Sequence, residues 1–156
     1  MNMSALHVRS VLALCLVSAL AAPVAAEVGD GASVLGRFDE AAQRFDRAQL
    51  AKVLAADARI SVVTCSAPED VSSGEEFIAS TVSMAPAIKT YVRSREAISR
   101  EDGVGQGAMI LRSRVHEAIE AQGGYSKQGW SSERTTLAER GGRLVITAIE
   151  SKMDCS

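Results

Sequence analysis

The sequence predicts an α+β fold in which three helices lie across one face of a curved antiparallel sheet. Two observations carry this expectation. Apolar residues recur every three or four positions in the first part of the chain and alternate with period two in the later part. The two regimes also follow one another instead of interleaving, which separates helices from a strand meander. Size and composition agree: 156 residues, 47% apolar and 23% charged, suit one domain with a buried core. A formal net charge of −2 with no basic run leaves no electrostatic footprint for nucleic acid or an anionic membrane surface.

Residues 1–26 read as a secretory signal peptide, and residues 27–156 as the α+β domain. His7 and Arg9 give a short positive start, Val11 to Ala22 is a compact apolar run too short to span a bilayer, and Pro23 breaks it. Val24 and Ala26 place small residues at the −3 and −1 positions, so cleavage is expected after Ala26. Leu14 before Cys15 is too large for a lipoprotein site. No later segment approaches a membrane span, so a periplasmic or secreted product without stable membrane insertion is expected. Of the three cysteines, Cys15 leaves with the leader, and Cys65 and Cys155 are expected to form one disulfide in an oxidising compartment. The alternative is two unpaired thiols.

Glu27 to Ala32 reads as a loose Gly/Asp-rich lead-in. A first helix is expected from Ser33, as its N-cap, with Val34, Leu35, Phe38, Ala41, Ala42 and Phe45 on one side. A second spans Arg47 to Ala56. Ile60 to Cys65 is β-branched and reads as a strand, and Ala67 to Ser73 as a loop. Ser73 then caps a third helix, with Glu75 and Glu76 at its positive end and Pro86 as its limit. Lys89 to Arg100 is a strand. Asp102 and Gly103, with Gly105 and Gly107, read as a turn or bulge before a long strand over Gln106 to Ala121. Within it, Arg114 to Ala121 also has helical spacing, and its place between clear strands favours strand. Gln122 to Gly129 is a Gly-rich loop. Trp130 to Glu139 and Leu144 to Met153 form a hairpin across Gly141-Gly142.

This order resembles the nuclear transport factor 2-like superfamily, which includes SnoaL-like and ketosteroid-isomerase-like domains. The likeness rests on Phe38 to Ile60 (FDEAAQRFDRAQLAKVLAADARI), Ser73 to Ser80 (SGEEFIAS) and Thr135 to Ile149 (TTLAERGGRLVITAI). Each stretch is weakly specific, and together they cover nearly the whole domain in the family's order. The resemblance implies a cone-shaped α+β barrel, its helices on the concave face and a pocket at its mouth, and a homodimer formed through the sheet. Fold likeness alone does not name a reaction.

The family's catalytic sets are absent from the text. Ketosteroid-isomerase-like members use an Asp base with a Tyr/Asp oxyanion pair, but no Asp lies between Asp102 and Asp154, and the first helix carries Phe38 and Phe45 instead of Tyr. A His–Asp pair of scytalone-dehydratase type is missing for the same reason. Strand alternation puts Met109, Leu111, Ser113, Val115, Glu117 and Ile119 towards the helices, with Arg112, Arg114 and His116 opposite. It also groups Val92, Ser94, Glu96 and Ile98 against Tyr91, Arg93 and Arg95. Glu96, Glu117 and Glu133 thus fall on apolar faces, where burial would favour a general base; the alternative is that the strands overrun the helices and leave them in water. The catalytic candidates are Glu96, Glu117 and His116, and the pocket candidates Ser113, Thr135 and Trp130. No metal set, no cofactor motif and no nucleophile elbow is present in the sequence.

The expected function is an exported domain that binds a small apolar ligand or serves as a dimeric assembly module, without catalysis. The alternative is an isomerase, dehydratase or cyclase using a pocket glutamate as base. A third reading is an envelope partner working through a sheet face bearing Arg93, Arg95, Arg112 and Arg114.

Overall fold

The computed structural model describes residues 28–101 and 107–155. The signal peptide with its Ala26 site, and the turn residues Asp102, Gly103 and Gly105, lie outside the described residues. The elements run α1 (Val28–Gln43), α2 (Arg47–Val53), β1 (Leu54–Val63), β2 (Asp70–Ser73), α3 (Gly74–Met84), a 3-10 turn (Ala85–Ala87), β3 (Ile88–Arg100), β4 (Ala108–Ala121), β5 (Ser126–Arg140) and β6 (Arg143–Met153). The six strands form one curved, unclosed sheet in the order β2-β1-β6-β5-β4-β3. The α+β class and the three helices are as the sequence predicts. Arg114 to Ala121 is strand, paired along its length with both β3 and β5.

The sheet is mixed, not wholly antiparallel: β1 runs parallel to β6. Alternation reports which face a residue occupies but not strand direction, and the chain between β1 and β6 is long enough to allow either. This parallel pair explains the disulfide. Val63 lies opposite Lys152, so the chain leaves both strands at the same end of the sheet. Cys65 and Cys155, two residues beyond each strand, meet there with Cα atoms 5.5 Å apart and a separation of 90 residues.

Several boundaries move for local reasons. Helix α1 starts at Val28, so the lead-in is largely helical and Ser33 is an exposed interior residue, not a cap. Gly31 is buried, and a Cβ there would lie 2.6 Å from Met109 Sδ and 2.8 Å from Leu111 Cδ1. That glycine permits α1 to approach β4 closely, a packing demand that looks like a loop signal in the text. Helix α2, capped by Asp46, ends at Val53, and Ala55 to Ala58 belong to a bulged start of β1. Asp70 to Ser73, expected as loop, adds the edge strand β2. The loop expected over Gln122 to Gly129 is shorter, because β5 starts at Ser126.

Ser73 caps α3 as expected, accepting from the Glu76 amide while the Glu76 carboxylate accepts from Ser73. The Gly141-Gly142 hairpin has φ of 57° and 74°, the double positive that a two-residue turn needs. Helices and sheet share one core: Leu35 and Phe38 of α1, Leu50 of α2 and Ile78 of α3 meet Leu111, Leu137, Ile146 and Ile149. Among the described residues no helix is long and apolar enough to cross a membrane.

A Cys65→Ser, Cys155→Ser variant is expected to lose ~2–4 kcal/mol of stability in urea unfolding, because the bridge closes a long loop in the unfolded chain. Coincident transitions for the variant and the unreduced parent would contradict this.

Candidate functional site

A charged network occupies the space between α1 and the inner face of β3, β4 and β5. Strand register assembles it. Arg93 lies opposite Glu117, Arg95 opposite Val115, and Ser113 opposite Glu133, so all project to the side that carries Leu111 and Val115. Asp39 descends from α1. Arg93 gives each guanidinium nitrogen to a different acid: Nε to Asp39 at 2.6 Å, Nη1 to Glu117 at 2.6 Å and Nη2 to Glu133 at 2.5 Å. Arg95 grips Asp39 through Nε at 2.8 Å and Nη2 at 2.9 Å, and its Nη1 reaches Glu133 at 2.7 Å and Ser113 Oγ at 2.6 Å. Thr135 Oγ1 donates to Glu133 at 3.1 Å, and Tyr91 OH to Glu117 Oε1 at 2.5 Å.

Exposure grades the network from inside outwards. The side chains of Glu133 and Arg95 are 2% and 4% exposed, those of Asp39 and Arg93 9%, and that of Glu117 37%. Burial of such charges is tolerable only when each is paired and hydrogen-bonded, as it is here. Burial pushes the Glu133 carboxyl upward, yet the Arg93 and Arg95 charges outweigh it and hold the group below the usual carboxylate range. Burial lowers Arg93 as well, but Glu133, Glu117 and Asp39 together raise it well above its ordinary value. Tyr91 is raised by burial and then by the Glu117 charge, so it stays protonated and donates.

Above this floor lies a cavity of about 230 Å³. Its walls include Phe38, Phe45, Phe77, Ile119 and Ile149, and its polar side is formed by Tyr91, Arg93, Glu117 and Glu133. The interior is therefore only partly hollow, since the arginines fill much of the depth. The other face of the sheet carries a more open groove of about 870 Å³, lined by residues such as Arg59, Arg112, Arg134 and Glu150. Its charges are paired across strands and lie near solvent, for example Arg112–Glu101 at 2.8 Å and Arg134–Glu150 at 3.1 Å.

The sequence-derived candidates separate accordingly. Glu117 stands at the cavity. Ser113 and Thr135 are buried within the network and do not line the cavity. Glu96 is exposed on the far side of β3. His116 packs on the Trp130 ring at 5.0 Å, with Arg114 4.9 Å over that ring; this cluster shares the outer face with Arg112 and Arg114. Trp130 is not a wall of the cavity.

Sequence reasoning missed Asp39 and placed Arg93 and Arg95 on the wrong face. The four-arginine outer surface therefore does not exist. The cause is a bulge: Ala97 has φ of 54°, and the β3–β4 register shifts between Glu96 and Ser99. Ile98 does pack on the core, and counting back from it by twos selects Glu96 instead of Arg95. The signal that could have found Asp39 is its place in the 35–38–39–42 stripe, on the buried side of α1.

No protein-family profile matches the sequence, and no curated protein matches it. Solved structures do match in shape. A protein from Novosphingobium aromaticivorans, designated a candidate scytalone dehydratase, superposes with a TM-score of 0.70 at 10% identity, covering 81% of this chain and 83% of that one. A nuclear transport factor 2-like superfamily protein from Salmonella enterica gives 0.68 at 9% identity over 83% and 92%. The hexachlorocyclohexane dehydrochlorinase LinA-type3 of Novosphingobium barchaimii gives 0.64 at 12% identity over 81% and 86%. The chain has the nuclear transport factor 2-like fold; at these identities the likeness speaks for the fold alone.

Replacing Glu133 by Ala is expected to destabilise the protein by about 3–5 kcal/mol in chemical unfolding, because two buried guanidiniums lose a shared partner. The pH dependence has a definite sign. A carboxyl depressed in the folded state contributes its full stability above the unfolded value of about 4.3, and loses it as pH falls through the lower folded value. Unfolding free energy should therefore fall on acidification below about pH 5, and more gently in Glu133→Gln. Equal slopes for parent and variant would remove Glu133 from this role.

Proposed function

We propose that this chain is an exported domain that binds a small apolar ligand in the interior cavity of a cone-shaped nuclear transport factor 2-like fold, without catalysis. One observation carries the reading: an aromatic-walled hollow of about 230 Å³ ends on a network of paired charges. Apolar walls supply the transfer free energy, and the few polar atoms at one end fix orientation. An apolar cavity of about 150 Å³ holds benzene, so this one suits a single ring with a short substituent. In this reading residues 1–26 direct export and residues 27–156 form the working domain. The Cys65–Cys155 bridge is compatible with an oxidising, extracellular location. A homodimer through the sheet is part of the proposal, and a light-scattering mass of one protomer would remove that part.

The second reading, a proton-abstracting isomerase or dehydratase, has one supporting observation. Glu117 lies at the cavity, and its Oε1 accepts from both Tyr91 and Arg93, leaving Oε2 without a hydrogen-bond donor among the described residues. Against it, that carboxylate is already engaged by two donors of the network. His116, the histidine of the described residues, sits on the opposite face of the sheet.

Titration of methyl-labelled protein with benzyl alcohol is expected to shift the methyl signals of Ile88, Ile119 and Ile149 saturably, leave those of Leu50 in place, and return the alcohol unchanged. Absence of any saturable shift would dismiss the ligand-binding reading.

A further inference from the structure

The interior cavity has a charge bias that an apolar ligand alone would not use. Its floor belongs to a network of three carboxylates (Asp39, Glu117 and Glu133) against two guanidiniums (Arg93 and Arg95). With all five ionised, the network carries one surplus negative charge. The surplus is not spread evenly. Asp39 and Glu133 each bind both arginines, while Glu117 binds Arg93 alone and is the most exposed member. Its Oε1 takes both available donors, and Oε2 is the carboxylate oxygen still open to a ligand.

An anionic ligand fits poorly here. All three Arg93 nitrogens are committed to acids, and all three Arg95 nitrogens to Asp39, Glu133 and Ser113. A ligand carboxylate would find only the N–H groups left over, two on Arg93 (five less three) and one on Arg95 (five less four), in a site whose acids already outnumber its arginines. A bare metal ion fits no better, since no group of three or more metal-ligating side chains occurs among the described residues, and hard cations need several oxygens.

The walls point the same way by independent means. The chain has three phenylalanines and two tyrosines, and all three phenylalanines together with Tyr91 line this one cavity. Phe45 and Tyr91 stand with ring centroids 5.9 Å apart, as do Phe38 and Phe77. Ring faces attract cations, a use already made by Arg93 at 5.5 Å from the Phe38 centroid.

On the premise that the cavity binds a ligand at all, we infer that it selects small organic cations, an ammonium group on a body the size of one ring, with Glu117 as the counter-charge and the aromatic rings as the walls. The ammonium donates to Glu117 Oε2, while Tyr91 and Arg93 hold the carboxylate in place through Oε1. Such a charge-assisted hydrogen bond, partly shielded from water, distinguishes the cation from its neutral analogue.

Three ligands of matched size test this in calorimetric or methyl-shift titrations at neutral pH: benzylamine, benzyl alcohol and benzoate. Benzylamine is expected to bind ~tenfold more tightly than benzyl alcohol, with benzoate the weakest. Glu117→Gln should bring the ratio of amine to alcohol to about one. If that variant does not fold, the order measured on the parent protein decides alone. Benzyl alcohol binding as tightly as the amine, or benzoate more tightly, would overturn the inference while leaving the ligand-binding reading intact. Failure of all three to saturate would remove the binding reading itself and the inference with it.

Discussion

The interior of this fold depends on how two arginines are accommodated beneath a helix. Arg93 and Arg95 enter from consecutive inward positions of β3, where their side chains are largely buried. Each therefore requires acids from other elements: Asp39 from α1, Glu133 from β5 and, for Arg93, Glu117 from β4. The ion pairs tie α1 to three strands where apolar contacts would otherwise have been used. The helix position, the depth of the hollow and the polarity of its floor all follow from that one arrangement.

Register makes the arrangement possible. In an antiparallel ladder, residues directly opposite share a face, so Arg93 with Glu117 and Ser113 with Glu133 are fixed by pairing, before any side chain moves. The bulge at Ala97 then lets β3 present arginines to the interior at one end and Ile98 to the apolar core at the other. Without the extra residue, either the arginines or the isoleucine would face the wrong medium. The bulge reconciles two demands that strict alternation cannot meet together.

This same bulge limits what could be read from the text. The α+β class, the three helices, the capping of α3 by Ser73 and the closing glycine hairpin rest on local rules, and local rules reported them correctly. The inward face of β4 was legible because Met109, Leu111 and Val115 dominate it. The site was not, because its key members are charged. An arginine on an alternating strand is assigned to water by default, and only tertiary partners on α1, β4 and β5 reverse that assignment. Gly31 was misjudged and Asp39 passed over for a related reason: each has a meaning set by what packs against it, and neither residue type advertises burial. Direction of β1 relative to β6 has no local signature at all.

A buried network of this kind is weak evidence for stability. Taking four charges out of water is expensive, and well-packed hydrophobic residues of similar volume often serve a core as well or better. An apolar filling would, however, have closed the hollow under Phe38 and Phe77 and left it without polar atoms. The charged filling does something an apolar one cannot: it props the space open with rigid planar groups and leaves a carboxylate at its edge. The acids outnumber the arginines by one, and Glu117, which pairs with Arg93 alone, stands at that edge. The unequal count, more than any single contact, is what gives the cavity a chemical preference.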